Sequence, residues 1–371
     1  MTLSGGGPNK RIERMALATL VPKRVTTAHA HRVRRDDSGD HRSPQEGLPQ
    51  MTGPDFYPGY HRGVLRPESA AILQQLAGGD FPALDTVTPA DARAAFVLPE
   101  WLDECDPNVR IEEATAGEVP VRIYRPMGAG CLPVMVFFHG GGFVAGDLDD
   151  FEPFCTFLSA RVRCVVVSVG YRRSPESPFP AALDDAWAAT LWAASEAPTF
   201  GGDPTRLAVA GDSAGANLAA GVTALARDHD GPGIGHQILI SPWVDLTTAA
   251  EDTESFAFFG EGLWLSSAAI GWYRGHYLKD LAMAKDPLVS PLLAAEVRAL
   301  PPALVLTAEF DVLADQGRAY AARLQDAGVA VVHRRYDGML HDFVTLPGLF
   351  PSAWEAIDDV AAFSREAFKR S

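Results

Sequence analysis

The stretch Arg206–Gly221, RLAVAGDSAGANLAAG, constrains this chain more than any other. It is almost entirely small or apolar, with one hydroxyl at its centre, Ser213. Leu207–Ala210 is a short apolar run ending in Gly211, as a buried parallel strand would be. Ala214–Ala226 is rich in Ala and Leu, which suits a helix. Gly211, Asp212, Ser213, Ala214 and Gly215 form the junction, and the pattern G-x-S-x-G turns sharply from strand to helix and lifts the hydroxyl above the sheet. The backbone is strained at such a serine, and neighbours without bulk let strand and helix approach closely. Taken alone, the pattern also fits an ordinary tight turn with an incidental serine, so the rest of the chain has to decide.

The flanking sequence supplies the sheet. Val119–Pro126 alternates like a half-exposed strand, and Leu132–Gly142 is a buried strand running into glycines. Val162–Arg172, Arg206–Gly211, His236–Pro242, Pro302–Asp311 and Val329–Met339 read as further strands. Helical stretches such as Pro180–Ser195 and Asp315–Gly328 lie between them. Strands alternating with helices predict an α/β protein with a mostly parallel sheet covered on both faces. Its active site should lie at the carboxyl ends of the strands. Two helices precede the strands: Pro67–Gly79, closed by glycine, and Thr88–Phe96, with Thr88 as N-cap, Pro89 in the first turn and Asp91 as capping-box acid. Asp252–Asp280 breaks the alternation with Phe256, Phe258, Phe259, Trp264, Trp272, Tyr273 and Tyr277. It reads either as another core-packing helix or as an aromatic cover over an apolar pocket, and its length and aromatic content favour the cover.

Length and charge bound the function. The 371 residues, 47% of them hydrophobic, suffice for one large domain with an appendage. A net charge of −15 argues against nucleic acid or an anionic membrane as the main partner. Residues 1–50 run the other way, with nine Lys/Arg against five Asp/Glu, leaving 23 against 42 in the remainder. That polar N-terminal segment lacks apolar periodicity and reads as disordered or as an extraneous extension, with Met51 as a candidate natural start that intact mass of the native protein would test. Met15–Val21 is too short and too closely flanked by charge to span a bilayer, and no clear cleavage site follows it, so a signal peptide is poorly supported. Cys105, Cys131, Cys155 and Cys164 make no C-x-x-C pair. Their scatter argues against zinc and dithiol sites and fits reduced, mostly buried thiols in a cytoplasmic protein, with secretion and one disulfide left open.

A serine is a poor nucleophile without a base in hydrogen-bond reach and an acid to orient that base. Asp311 closes one strand in AEFDVLAD, and His341 follows the last strand in DGMLHDF. Their order, serine–acid–histidine, is that of α/β-hydrolases. Glu309 and Asp315 are alternative acids, and His333 is an alternative base inside a strand; His29, His31 and His41 lie in the N-terminal segment. An oxyanion would need donors, and His139–Phe143, HGGGF, offers backbone N–H groups on a chain that an ester can approach closely. One such donor typically contributes ~2.7–4 kcal/mol to the barrier. The rival readings of HGGGF are a plain glycine turn or a phosphate loop, but neither a Lys-Ser/Thr pair nor the G-x-G-x-x-G spacing follows.

HGGG and GDSAG, in this order and at this distance, resemble the bacterial hormone-sensitive-lipase-like branch of the α/β-hydrolases. Tyr171–Ala186, YRRSPESPFPAALDDA, is similar to the family's Y-R-L-A-P-E-x-P-F-P-A-A-x-D-D segment, and AEFDVLADQG to its acid motif D-P-L-R-D-E-G. The resemblance covers roughly Pro54 to the C-terminus. It departs at Ser174, Ser177 and Val312, where alanine, histidine and proline are common, which leaves loop packing rather than the triad in doubt. The resemblance implies an α/β-hydrolase fold with a helical cap. It implies Ser213 as nucleophile, His341 as base and then acid, Asp311 as orienting acid, and the N–H groups of Gly141, Gly142 and Ala214 as oxyanion hole. His139 and Gly140 would shape that loop, and Gly211, Asp212 and Gly215 the turn. The expected division is 51–115 for N-terminal cap helices and 116–371 for the catalytic domain, with a cap insertion at about 247–285.

The implied activity is hydrolysis of small-molecule carboxylic esters with short to medium acyl chains, needing no metal or cofactor. Two rivals remain. A non-catalytic receptor on the same fold, like the plant gibberellin receptors, would lack the triad histidine, whereas His341 is present. An amidase or peptidase would be told apart by amide against ester turnover. The last strand should lie at a sheet edge, where a second subunit could pair.

Overall fold

The computed structural model describes residues 63–78, 84–95 and 104–370. The N-terminal segment 1–50 and Met51 lie outside the described residues.

The long apolar runs became the middle of the sheet. β1 (Val109–Ala116), β2 (Val119–Pro126), β3 (Leu132–Phe138), β4 (Val165–Val169), β5 (Gly202–Asp212), β6 (Ile234–Ile240), β7 (Ala303–Phe310) and β8 (Val331–Leu340) stand in the order β1-β2-β4-β3-β5-β6-β7-β8. β1 and β2 pair antiparallel, as do β2 and β4; every later pairing is parallel. β3 and β4 are buried at every residue, because helices cover both faces. Alternation survives as a choice between two cores. Val134, Val136 and Phe138 point into one, together with Val165, Val167, Leu207 and Val209. Met135 and Phe137 point into the other, with Val166, Ala208 and Ile238. Each such side chain, fully removed from water, stabilises the fold by roughly 1.5–3 kcal/mol.

Helices close both faces. α1 (Pro67–Gly78), α3 (Glu152–Val162) and α9 (Ala353–Ala367) cover the second core through Ile72, Leu73, Phe154, Leu158, Ile357 and Val360. α4 (Ala181–Glu196), α5 (Ala214–Asp228) and α8 (Ala314–Asp326) cover the first through Leu183, Ala189, Leu218, Val222, Tyr320 and Leu324. α2 (Pro89–Ala95) starts on the expected capping box: Asp91 N donates to Thr88 Oγ1 at 3.2 Å and Thr88 N to Asp91 Oδ2 at 3.4 Å.

Two expectations change. Residues 109–115, grouped by the sequence with the N-terminal cap helices, belong to the edge strand β1. Only Val109 and Ala116 are buried there, and Arg110, Glu112 and Glu113 interrupt the apolar alternation, as charges at a sheet edge often do. The cysteines also divide evenly rather than lying mostly buried: Cys155 and Cys164 are buried, Cys105 is partly so and Cys131 is exposed, and among the described residues none forms a disulfide. β8 does lie at the sheet edge. Among the described residues no helix is long and apolar enough to cross a membrane.

Candidate active site

The turn after β5 is as tight as its sequence demands. Ser213 sits at φ 54°, ψ −113°, a strained conformation for a residue with a side chain. It is held there by its own N–H, which donates to Ile240 O of the neighbouring strand at 2.8 Å. A Cβ on Gly211 would fall 2.1 Å from Gly215 O, and one on Gly215 would fall 1.9 Å from Phe138 O. Both positions therefore exclude any side chain, because strand and helix are in backbone contact there.

The ends of β7 and β8 bring partners to that hydroxyl. His341 Nε2 lies 3.0 Å from Ser213 Oγ, and its Nδ1 lies 2.8 Å from Asp311 Oδ2. Asp311 Oδ1 accepts Leu313 N at 2.8 Å, which fixes the carboxylate. All three side chains are buried. Burial opposes a charge on His341, but the Asp311 and Asp342 carboxylates outweigh it and hold the imidazole well above its ordinary range.

The alternative acids and base are engaged elsewhere. Glu309 Oε2 accepts Gly338 N at 2.8 Å. Asp315 Oδ2 accepts Ser255 N at 2.9 Å, tying down the segment after β6. His333 pairs with Thr307 Oγ1 at 2.9 Å within the sheet. His29, His31 and His41 lie outside the described residues.

The HGGG loop faces the turn from the end of β3. Gly141 and Gly142 hold φ of 104° and 59°, and Gly141 O accepts Val144 N and Ala145 N at 3.0 and 2.8 Å. A Cβ on Gly141 would meet Ala145 O at 2.3 Å, and one on Gly142 would meet the Tyr273 ring at 2.2 Å. Among the described residues the N–H groups of Gly141, Gly142 and Ala214 donate no hydrogen bond. His139 is fully buried and stacks on Tyr171 at 4.1 Å, and Tyr171 Oη donates to His139 O at 2.8 Å. Burial lowers His139 to about 4, so it stays neutral and acts as packing beneath the loop.

The aromatic insert shows the core-packing role and a contact with the glycine loop. α6 (Glu254–Phe259) and α7 (Ser267–Tyr277) bury Phe256, Phe259, Tyr273 and Tyr277 in the first core, which is the plain packing role. Phe258, Trp264 and Trp272 are only partly buried. Yet the insert also reaches the glycine loop, where Tyr277 stacks on Phe143 at 3.7 Å. α2 reaches the same loop: Arg93 donates to Val144 O at 2.8 Å and to Ser174 O at 2.6 Å.

The motif reading missed one residue. Asp342 Oδ1 lies 2.9 Å from His341 Nε2. Its only signal was adjacency: a carboxylate directly after the histidine in LHDF. Among the described residues no group of three or more His, Cys, Asp and Glu is arranged to hold a metal ion.

Known proteins resemble this chain in sequence and fold. The alpha/beta hydrolase fold family model Abhydrolase_3 matches residues 135–345. The chain is similar to carboxylic ester hydrolase LipN of Mycobacterium tuberculosis, 44% identical over 237 residues. That match covers 62% of the chain and 62% of LipN, less than two thirds of its length. Carboxylesterase NlhH of the same organism is 38% identical over 306 residues, covering 79% of this chain and 94% of NlhH. The crystal structure of a thermostable esterase from Pseudomonas putida superposes with a TM-score of 0.78 at 35% identity, covering 83% of this chain and 99% of that one. With the HGGG and GDSAG turns facing one another across the strand ends, the chain belongs to the α/β-hydrolases, in their hormone-sensitive-lipase-like esterase family.

Proposed function

We propose that the protein is a serine carboxylesterase acting on short- to medium-chain acyl esters. Ser213 is the nucleophile. His341 takes its proton, Asp311 holds the imidazole in the tautomer with hydrogen on Nδ1, and the ester carbonyl carbon is attacked. The developing oxyanion is held by the N–H groups of Gly141, Gly142 and Ala214. The alcohol leaves with the proton from His341, and water, activated by the same histidine, releases the acid and frees Ser213. The observation that carries this reading is the continuous chain Ser213 Oγ to His341 Nε2 to Asp311 Oδ2, at 3.0 and 2.8 Å.

The helices α1 and α2 and the insert at 247–285 serve as the cap. Their attachments to the glycine loop and to the approach of β8 support that role. Tyr273 and Tyr277, buried against the loop, favour a modest apolar acyl group over a long chain. Four cysteines outside any disulfide among the described residues fit a cytoplasmic home. The position of β8 at the sheet edge offers a second subunit a place to pair, which light scattering would detect.

The first test is hydrolysis of 4-nitrophenyl butyrate by the protein beside Ser213→Ala. Turnover lost in a folded variant supports the reading, and equal rates overturn it. A palmitate optimum in an acyl-length series would remove the short-chain assignment, and faster amide than ester turnover would remove the ester one.

A further inference from the structure

We propose that Asp212 and Asp342 form an acid–carboxylate pair that holds a single proton beside His341, and that this pair, opposite Asp311, sets the basicity of the catalytic histidine. The inference rests on the reading of His341 as the base and makes both aspartates positioning residues for it.

The geometry is a cluster of buried carboxyl oxygens without donors. Asp212 is completely buried directly before the nucleophile, and among the described residues neither of its oxygens meets a hydrogen-bond donor. Asp342 Oδ1 is buried and equally without a donor, although it lies 2.9 Å from His341 Nε2. The hydrogen on that side of the imidazole belongs to the Ser213 contact at 3.0 Å. Gly140 closes the cluster from above, since a Cβ there would fall 2.6 Å from Asp212 Oδ2. Two ionised carboxylates in this space would repel, and each would lack a partner. One proton resolves both problems: a protonated carboxyl gains an O–H that its neighbour accepts. Burial first, and then the Asp342 charge, push Asp212 well above the ordinary carboxylate range, with a hydrogen bond to Asp342 contributing. Asp212 therefore keeps the proton and donates it to Asp342.

The pair then carries one negative charge, and Asp342 presents it to Nε2. In the resting protein His341 Nε2 offers its lone pair to the Ser213 hydroxyl. When the proton moves from Ser213 to His341, the imidazolium gains Asp342 as a second anion besides Asp311. The proton count of the carboxyl pair does not change in that step. The other titratable groups facing the cluster are Tyr273 on α7 and Tyr171 after β4. Burial pushes both phenols up, so they stay neutral and contribute no charge. The basicity of His341 thus follows from Asp311 on one nitrogen and from the pair on the other.

The test is the titration of His341 itself. The Cε1–H resonance is followed by NMR from pH 4 to 10 in protein carrying ¹³C-histidine and assigned with His341→Gln, beside the pH profile of 4-nitrophenyl butyrate hydrolysis. Asp342→Asn removes the charge and should lower the His341 midpoint, and with it the acid limb of kcat/KM, by at least about one pH unit. Asp212→Asn replaces a neutral acid by a neutral amide that still donates, so it should leave both midpoints in place. Asp342→Glu keeps a carboxylate and should recover part of the shift, which a mere packing defect would not. A His341 midpoint unmoved in Asp342→Asn, or lowered equally in Asp212→Asn, overturns the pair. The resonance reports whether or not esters are cleaved. Failure of Ser213-dependent hydrolysis would therefore sink the esterase reading without deciding this one.

Discussion

His341 and His236 are both buried imidazoles, one just past a strand of the sheet and one within it, and they meet opposite fates. His236 lies near the start of β6, packed edge-on against Phe368 and Phe363 with centroids at 4.5 and 5.7 Å. Among the described residues neither of its ring nitrogens has a partner, and burial alone lowers it to about 3. His341 lies beyond the end of β8 between two carboxylates, which outweigh burial and hold it well above its ordinary value. Burial by itself expels charge; burial with an anion at each nitrogen retains it. Of these two imidazoles, the one at the carboxyl end of the sheet is thereby equipped to move a proton near neutrality.

The largest effect should come from removing what His341 acts upon. Ser213→Ala should lower kcat by about 10⁶, the scale of nucleophile loss in serine triads. A residual rate within tenfold of the parent enzyme, in steady-state assays with a folded variant, would mean that the hydroxyl is not the nucleophile. Asp311→Asn comes next, at about 10⁴ in kcat. It should also move the acid limb to lower pH, because it removes an anion that favours the imidazolium. In the parent protein that limb should lie above pH 6.5, the ordinary imidazole value, since the base works only when neutral and its affinity for the proton is raised. A pH profile flat down to 5 would contradict the assignment of His341.

The His236 end of the comparison appears in stability. Its folded value is depressed from 6.5 to about 3, so the neutral ring's contribution is fully present above pH 6.5 and is lost as pH falls through that window. Between pH 7 and 4.5 this one group should remove about 3 kcal/mol. Urea unfolding at the two pH values should show a correspondingly smaller loss in His236→Phe, and an unchanged loss would refute the account. The smallest effect should be at the tether of α2. Arg93→Ala removes two charge-assisted bonds to backbone carbonyls, worth about 2 kcal/mol together once partial exposure is allowed for. It should change kcat/KM less than tenfold while lowering the thermal midpoint. Its exposed ion pair to Glu176 should add little, so Glu176→Gln should be near neutral in the same melting experiment.

The readable parts of the chain were those in which each residue carries its own reason. Gly211 and Gly215 were legible because only glycine survives a backbone contact. Thr88 and Asp91 were legible because a capping box is closed within four residues. β1 was not, because Arg110, Glu112 and Glu113 hide an edge strand whose identity comes from pairing with β2. The aromatic insert showed its composition but not its direction. Whether Tyr277 covers a pocket or fills a core depends on Phe143, 134 residues earlier, and the answer is that it fills the core, since Phe143 is itself fully buried there. The choice of Asp311 over Glu309 depends on where β7 ends: Glu309, inside the strand, accepts from Gly338, and Asp311 lies just past the strand's end, within reach of His341.

By itself the sequence determined the strand–helix alternation, the two glycine turns and the order serine–acid–histidine, because these depend on local sterics and on periodicity along the chain. Tertiary structure alone decided which carboxylates face which imidazole nitrogen. Asp212 and Asp342 lie 130 residues apart and become neighbours only when the ends of β5 and β8 converge on the same buried space. Charges in such a space interact through distance and desolvation, and neither quantity is a property of the chain until it has folded.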